Sequence, residues 1–166
     1  MTRFCCRICL RTLPRQSNCV LSDKPMNPGC VVLLVESIAT VIWYCRVGLD
    51  SGWTRYEYDI GRQKLFVPTS DGEDEEKTPI CTIAAYQGKF YFITRLDEIH
   101  VLEFSPAPVF SSLEIAYNEE FEYVYRAKLF LVESGEELYM AVLAYRGLFG
   151  RDTLDYEARV YKMDFS

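Results

Sequence analysis

The sequence predicts an all-β protein built from repeated antiparallel meanders, and three observations carry that reading. From residue 30 onward, short apolar or alternating runs rich in Val, Ile, Tyr and Phe follow one another between Gly, Pro, Asn, Asp and Ser turns. No stretch beyond the N-terminus sustains a helical period. The strand ends also repeat. Leu34-Val35-Glu36-Ser37 recurs as Leu131-Val132-Glu133-Ser134 with Ile83-Ala84-Ala85-Tyr86 between them, and the spacings from Ser37 to Tyr86 and from Tyr86 to Ser134 are 49 and 48 residues.

Taken in order, residues 1–20 form a basic segment that is disordered or a short helix. Arg3, Arg7, Arg11 and Arg15 would line one helical face while Phe4 and Ile8 cover others, as in an organellar presequence. An irregular start with no targeting role is the alternative. Pro14, Pro25 and Pro28 keep the chain out of regular structure up to Cys30. CVVLLVES is then a continuous apolar strand and TVIWYCRVG the next. After the Asp50-Ser51-Gly52 turn, WTRYEYDI alternates, with Thr54, Tyr56, Tyr58 and Ile60 on one face and Arg55, Glu57 and Asp59 on the other. Residues 61–78 read as a solvated loop, because 71–76 hold five carboxylates in six residues.

Pro79 to Ser105 is the clearest meander. Ile80 to Tyr86 is a strand, Gln87-Gly88 supplies the positive φ angles of a hairpin turn, Lys89 to Thr94 returns, and a reversal at Leu96-Asp97-Glu98 leads into Ile99 to Phe104. Pro106 and Pro108 open a connector. Phe121 to Arg126 alternates, Ala127 to Ser134 is a strand, Gly135-Glu136 turns into Leu138 to Arg146, Gly147 to Asp152 is a loop, and EARVYKMDF is the last strand.

Composition bounds the function. The 166 residues suit one domain, with 49% hydrophobic and 25% charged residues, 12 Tyr and 10 Phe. The net charge is −6, and since the first four arginines contribute +4 the remainder carries −10. So acidic a body argues against nucleic acid, whose binders neutralise phosphates with Lys and Arg. The seven cysteines, Cys5, Cys6, Cys9, Cys19, Cys30, Cys45 and Cys81, are odd in number and show no pairing rhythm, which points to a reducing compartment: cytoplasm or nucleus, or mitochondrion or chloroplast if the arginine spacing is a signal. The longest apolar run, Cys30 to Cys45, contains Glu36 and is too short for a membrane span.

Each chemically suggestive group has a plainer reading. Cys5-Cys6-x-x-Cys9 with Cys19 and Cys30 has thiolate spacing but no second CxxC or His pair, so no metal site is expected. His100, the single histidine, alternates with Ile99 and Val101 in a strand and reads as structural; with no Gly-x-Ser-x-Gly in the chain, a small hydrolase is a remote alternative. Glu119-Glu120 and Glu136-Glu137 sit at turns, and Gly88-Lys89 lacks the frame of a phosphate loop. Phe90 and Phe92 share a face that resembles an RNA-stacking strand, but with Trp43, Trp53, Tyr56 and Tyr58 they are expected to pack the sheets. No catalytic, cofactor or metal residue is expected, and the binding residues are unknown.

A period of about fifty residues carrying three or four antiparallel strands is the size of one β-propeller blade. The same stretches, WYCRVG with Trp53, YEYDIG, YQGKFYFIT followed by IHVLEF, LFLVESGEELYMAV and ARVYKMDF, resemble the plant KIB-type β-propeller domain, a family often found behind an F-box. The resemblance covers about Leu21 to Phe165 and rests on several motifs in the right order. It implies a partial propeller of about three blades over residues 21–166. It also implies a non-enzymatic protein-interaction module similar to the substrate-recognition propellers of plant F-box proteins; the alternative is an organelle-targeted relative of unknown function. The sequence departs from the family in showing no Leu-Pro-x-Asp F-box segment ahead of Leu21, where Leu13-Pro14-Arg15-Gln16 is a poor substitute, and in stopping at Ser166. Those departures argue against a Skp1-type ligase component as partner. An unclosed array exposes strand edges and apolar blade faces, so the partial propeller is expected to self-associate through those edges, to borrow a partner or to be marginally stable.

Overall fold

Where the sequence alternates or runs apolar, the backbone pairs into antiparallel sheets. The computed structural model describes residues 16–65, 74–95, 98–115, 126–146 and 155–165, and among these it holds thirteen strands and no helix. The chain divides into two compact units, Met1–Cys81 and Thr82–Ser166.

In the first unit, β1 (Ser17–Leu21), β2 (Val31–Glu36), β3 (Val41–Arg46) and β4 (Thr54–Glu57) form a meander in chain order. The β2 register sets Val35 opposite Ile42 and Leu33 opposite Tyr44, so Leu33, Val35 and Ile42 share one fully buried face. The β1–β2 connection closes through Ser22, whose amide donates to the Val31 carbonyl and whose hydroxyl accepts from the Val31 amide, both at 2.9 Å. After β3, the Asp50 carboxylate accepts from the Arg46 amide at 2.8 Å and from its guanidinium at 3.2 Å. Partial burial works to raise the Asp50 pKa, but those two bonds to Arg46 outweigh it and hold the pKa below its usual value. A two-stranded hairpin follows, β5 (Arg62–Leu65) on β6 (Asp74–Lys77).

The second unit holds two sheets. β7 (Ile83–Tyr86), β8 (Lys89–Arg95), β9 (Glu98–Phe104) and β10 (Pro108–Glu114) again form a meander. β11 (Arg126–Ser134), β12 (Glu137–Arg146) and β13 (Asp155–Lys162) form the third meander. Phe90 to Ile93 and Ile99 to Leu102 are buried without a break, the mark of strands covered on both faces. One face of β8 and β9 carries Phe90, Phe92, His100 and Leu102. The opposite face, Tyr91, Ile93, Ile99 and Val101, packs against Leu131, Leu138, Met140 and Val142 of the third sheet in one core. Both tight turns adopt positive φ at both central residues, Gln87 (50°) with Gly88 (79°) and Gly135 (61°) with Glu136 (65°), the twist that a two-residue hairpin demands.

Four expectations are corrected. The irregular chain expected between Pro14 and Pro28 includes β1, because a proline bars the ladder only at its own position, and Ser17 to Leu21 lie between the prolines with every amide intact. The loop expected over 61–78 has paired ends, where Arg62 lies opposite Lys77 and Gln63 opposite Glu76. There Lys77 lies 3.7 Å from both Glu57 and Asp59, and Arg62 lies 3.9 Å from Glu75, so cations are interleaved with the carboxylates. The connector expected at Pro106 and Pro108 is shorter, since Pro108 begins β10 at a position where a missing amide is tolerated. The repeat is also offset. Ile83–Tyr86 and Leu131–Ser134 belong to the first strands of their sheets, whereas Leu34–Ser37 ends a strand that β1 already flanks; the first sheet adds its fourth strand before the repeated hairpin and the second adds it after. Phe121–Tyr125, Gly147–Asp152 and residues 1–15 lie outside the described residues.

Candidate functional site

The third sheet is apolar on both faces and covered on one. Its inner residues close the core with the second sheet. Its outer residues form cross-strand rows, Phe130 beside Ala141 beside Val160, and Val132 beside Tyr139 beside Lys162. Phe130 is 39% exposed, Val132 48% and Val160 68%. β12 (LYMAVLAY) is as continuously apolar as β8, which both faces bury, so this outer surface has the composition of a buried one while facing solvent.

The patch ends at a polar cluster. The Tyr139 hydroxyl donates to Glu137 at 2.7 Å, and the Lys162 ammonium donates to the other oxygen of the same carboxylate. The Lys162 bond first, and then the Tyr139 bond, hold the Glu137 pKa below the usual carboxylate value, while Tyr139 and Lys162 are raised by the same contacts. Around the edge from this cluster runs a groove of about 510 Å³, floored by Ile99 and Met140 and walled by Leu113, Met163 and Phe165. Phe165 holds its wall by packing on Tyr91, with ring centres 5.0 Å apart, and on Tyr86 at 5.9 Å. Flexible thioethers in such a lining adapt to varied apolar side chains.

The residues weighed from sequence are dispersed. His100 is buried, its Nε2 lies 2.8 Å from the Thr94 hydroxyl and its ring stacks on Phe92 at 5.1 Å. Glu98 approaches the same Nε2 at 3.6 Å. A nucleophile–base relay needs its orienting carboxylate on the other ring nitrogen, so this trio ties the strands together without forming one. Phe90 and Phe92 pack edge-on against Phe104 and Phe110 inside the second sheet and offer no stacking platform. Lys89 pairs with Glu103 at 2.8 Å across the sheet. Trp43 donates from its indole to Glu36 at 2.9 Å, while the indole nitrogen of Trp53 is buried without a hydrogen-bond partner. Tyr58 is buried, and Tyr56 lies opposite Ile42 in the β3–β4 ladder. Glu136 occupies the exposed β11–β12 turn. Cys30 and Cys45 are buried, Cys19 and Cys81 exposed, all four as free thiols. Among the described residues no three His, Cys, Asp or Glu side chains gather as a metal site. Cys5, Cys6, Cys9, Asp71–Glu73 and Glu119-Glu120 lie outside them. Sequence reasoning missed the outer face of the third sheet, although the unbroken apolar run of β12 signalled it.

Successive four-, four- and three-stranded antiparallel meanders, two of them stacked face to face, define a protein of the β-propeller class. The family model described as KIB1-4 beta-propeller matches residues 3–166, and the chain belongs to that family. No curated protein and no solved structure matches it. A propeller of this kind is in general a protein-interaction module, and no sheet closes on itself among the described residues.

Proposed function

We propose that this chain is a non-catalytic recognition module that holds a protein partner, in the manner of the propellers that plant F-box proteins use to hold their substrates. One observation carries the reading: the outer face of the third sheet exposes Phe130, Val132 and Val160 in a contiguous apolar patch, with Lys128 and the Glu137–Lys162 pair as its charged margins. Such a patch with a polar rim suits an apolar protein surface better than a small polar ligand. The odd number and scattered placement of the seven cysteines favour a reducing setting, such as the cytoplasm or nucleus, for this encounter.

The test compares the full chain with a Val132→Lys/Val160→Lys variant as baits in plant extract, with cross-linking and mass spectrometry to locate the contact. Capture of one protein by the wild type, cross-linked to β11–β13 and lost in the variant, is the expected result. Equal capture by both baits, or cross-links confined to the first unit, overturns the reading.

A further inference from the structure

Among the described residues most strand edges are blunted, and that of β10 is not. β4 is four residues long and carries Arg55 and Glu57. β1 is only five residues long, and at its second residue the Asn18 side-chain amide donates to the Cys81 carbonyl at 3.1 Å. β5 and β6 are short and charged. β7 and β11 lie against each other, and β13 carries Glu157, Arg159 and Lys162. β10 is seven residues long, begins with Pro108, ends with Glu114, and between them reads VFSSL with no charge, no proline and no bulge against β9. Its outer edge has no strand beside it among the described residues, and Val109 and Leu113 are 51% and 46% exposed. Natural edges of this length are interrupted by charges or kinks because an open ladder pairs with another strand.

We propose that β10 is a self-pairing edge, through which two copies of this chain join antiparallel across a two-fold axis and continue the second sheet from one copy into the other. The proposal rests on the reading of the chain as an interaction module and names one partner, a second copy. The sequence of β10 is what selects that occupant. Residues directly opposite in an antiparallel pair share a face, so a symmetric pair is centred on one residue. Centred on Ser111, the pairing sets Val109 opposite Leu113 of the second copy, twice, and Phe110 opposite Ser112. The only charge, Glu114, then meets Pro108 at the end of the seam, far from its own image. Centring on Ser112 would set that carboxylate against Phe110, and centring on Phe110 would leave Leu113 against Ala107. The pattern Val-x-Ser-x-Leu is self-complementary in one register, which a surface shaped for an unrelated strand has no reason to be.

Sedimentation velocity of the full chain over a concentration series tests this. The wild type is expected to form a reversible dimer. Val109→Lys/Leu113→Lys and Val109→Glu/Leu113→Glu should each weaken it at least about tenfold by opposing like charges. An equimolar mixture of the two should dimerise again, because every introduced ammonium then faces a carboxylate. Circular dichroism checks that both variants are folded; if one is not, Val109→Lys/Leu113→Glu provides the same complementary pairs within one sequence and should dimerise. A wild type that is monomeric throughout, variants that dimerise as the wild type does, or a dimer abolished only by Val132→Lys/Val160→Lys overturns the proposal. Capture of one protein through β11–β13 by a wild-type chain that stays monomeric at every concentration would leave the interaction-module reading standing while this one fell.

Discussion

The phenolic oxygen of Tyr58 accepts a hydrogen bond from the backbone amide of Ile80 at 2.8 Å, joining the end of β4 to the chain that returns from the β5–β6 hairpin. Tyr58 is 2% exposed and Ile80 1%, so both ends of the bond are out of water. Tyr58→Phe leaves a buried amide without this acceptor and is expected to cost about 1–3 kcal/mol of stability, read by urea denaturation. Burial, the larger influence, outweighs the Ile80 amide bond and pushes the phenol up to about 12. The folded state therefore holds this proton more tightly than the unfolded state, whose phenol titrates near 10. The stabilisation is complete below that pH and falls, by roughly 2 kcal/mol, as pH rises to about 12. Tyr58→Phe should flatten that alkaline decline relative to the wild type.

The β7–β8 turn separates backbone cost from steric cost. Gly88 has φ 79°, and a Cβ built on it meets nothing within 4 Å. Gly88→Ala should nonetheless destabilise the protein by about 1–2 kcal/mol, because the left-handed conformation itself is unfavourable for an L-residue. At the other turn Glu136 already bears that strain at φ 65°, so Glu136→Asn should stabilise by about 0.5 kcal/mol. Thermal melts of both variants give opposite signs.

Thr94 and His100 make a comparable pair inside the second sheet. Thr94→Val keeps the shape but removes the hydroxyl 2.8 Å from Nε2, leaving a buried imidazole nitrogen without that partner. A loss of about 1–2 kcal/mol in chemical denaturation is expected. Conversion of both positions, Thr94→Val with His100→Phe, should recover part of it, since the polar demand is then gone.

The carboxyl group of Glu137 titrates below its usual value because Lys162 and Tyr139 donate to its charged form. Its contribution to stability is present above the ordinary carboxyl pKa and is lost as pH falls through the depressed folded value. Lys162→Met should move the carbon-13 carboxyl titration of Glu137 back toward that of a free glutamate. An unchanged titration midpoint would show that the contact is not formed in solution.

Much of the ladder was legible in sequence, for reasons that are local. Gln87-Gly88 and Gly135-Glu136 marked their turns because few residues accept positive φ, and β2, β3, β8, β9, β11 and β12 followed from runs of β-branched and aromatic residues. The misses share another cause. β1 and β10 stand next to prolines and carry weak patterns, SNCVL and PVFSSL, so their pairing is decided by the neighbouring strand that needs an edge partner. The candidate interaction surface was hidden for a different reason. A strand apolar on both faces looks the same in sequence whether two layers cover it or one, and only the exposure of Phe130, Val132 and Val160 tells the two apart.

That distinction gives the sharpest contrast between neighbouring positions. Met140 and Val160 sit on adjacent strands of one sheet, but Met140 points into the shared core at 1% exposure and Val160 points outward at 68%. Met140→Ala removes buried atoms from a packed site and is expected to cost about 2–5 kcal/mol. Val160→Lys removes little buried area, so its effect on unfolding should stay within about 0.5 kcal/mol, and it should lower light scattering of concentrated protein by breaking the apolar patch. Equal losses of stability in the two variants would mean that the outer face is covered in solution. An unaffected Val160→Lys with reduced self-scattering would establish that the patch is available to a partner.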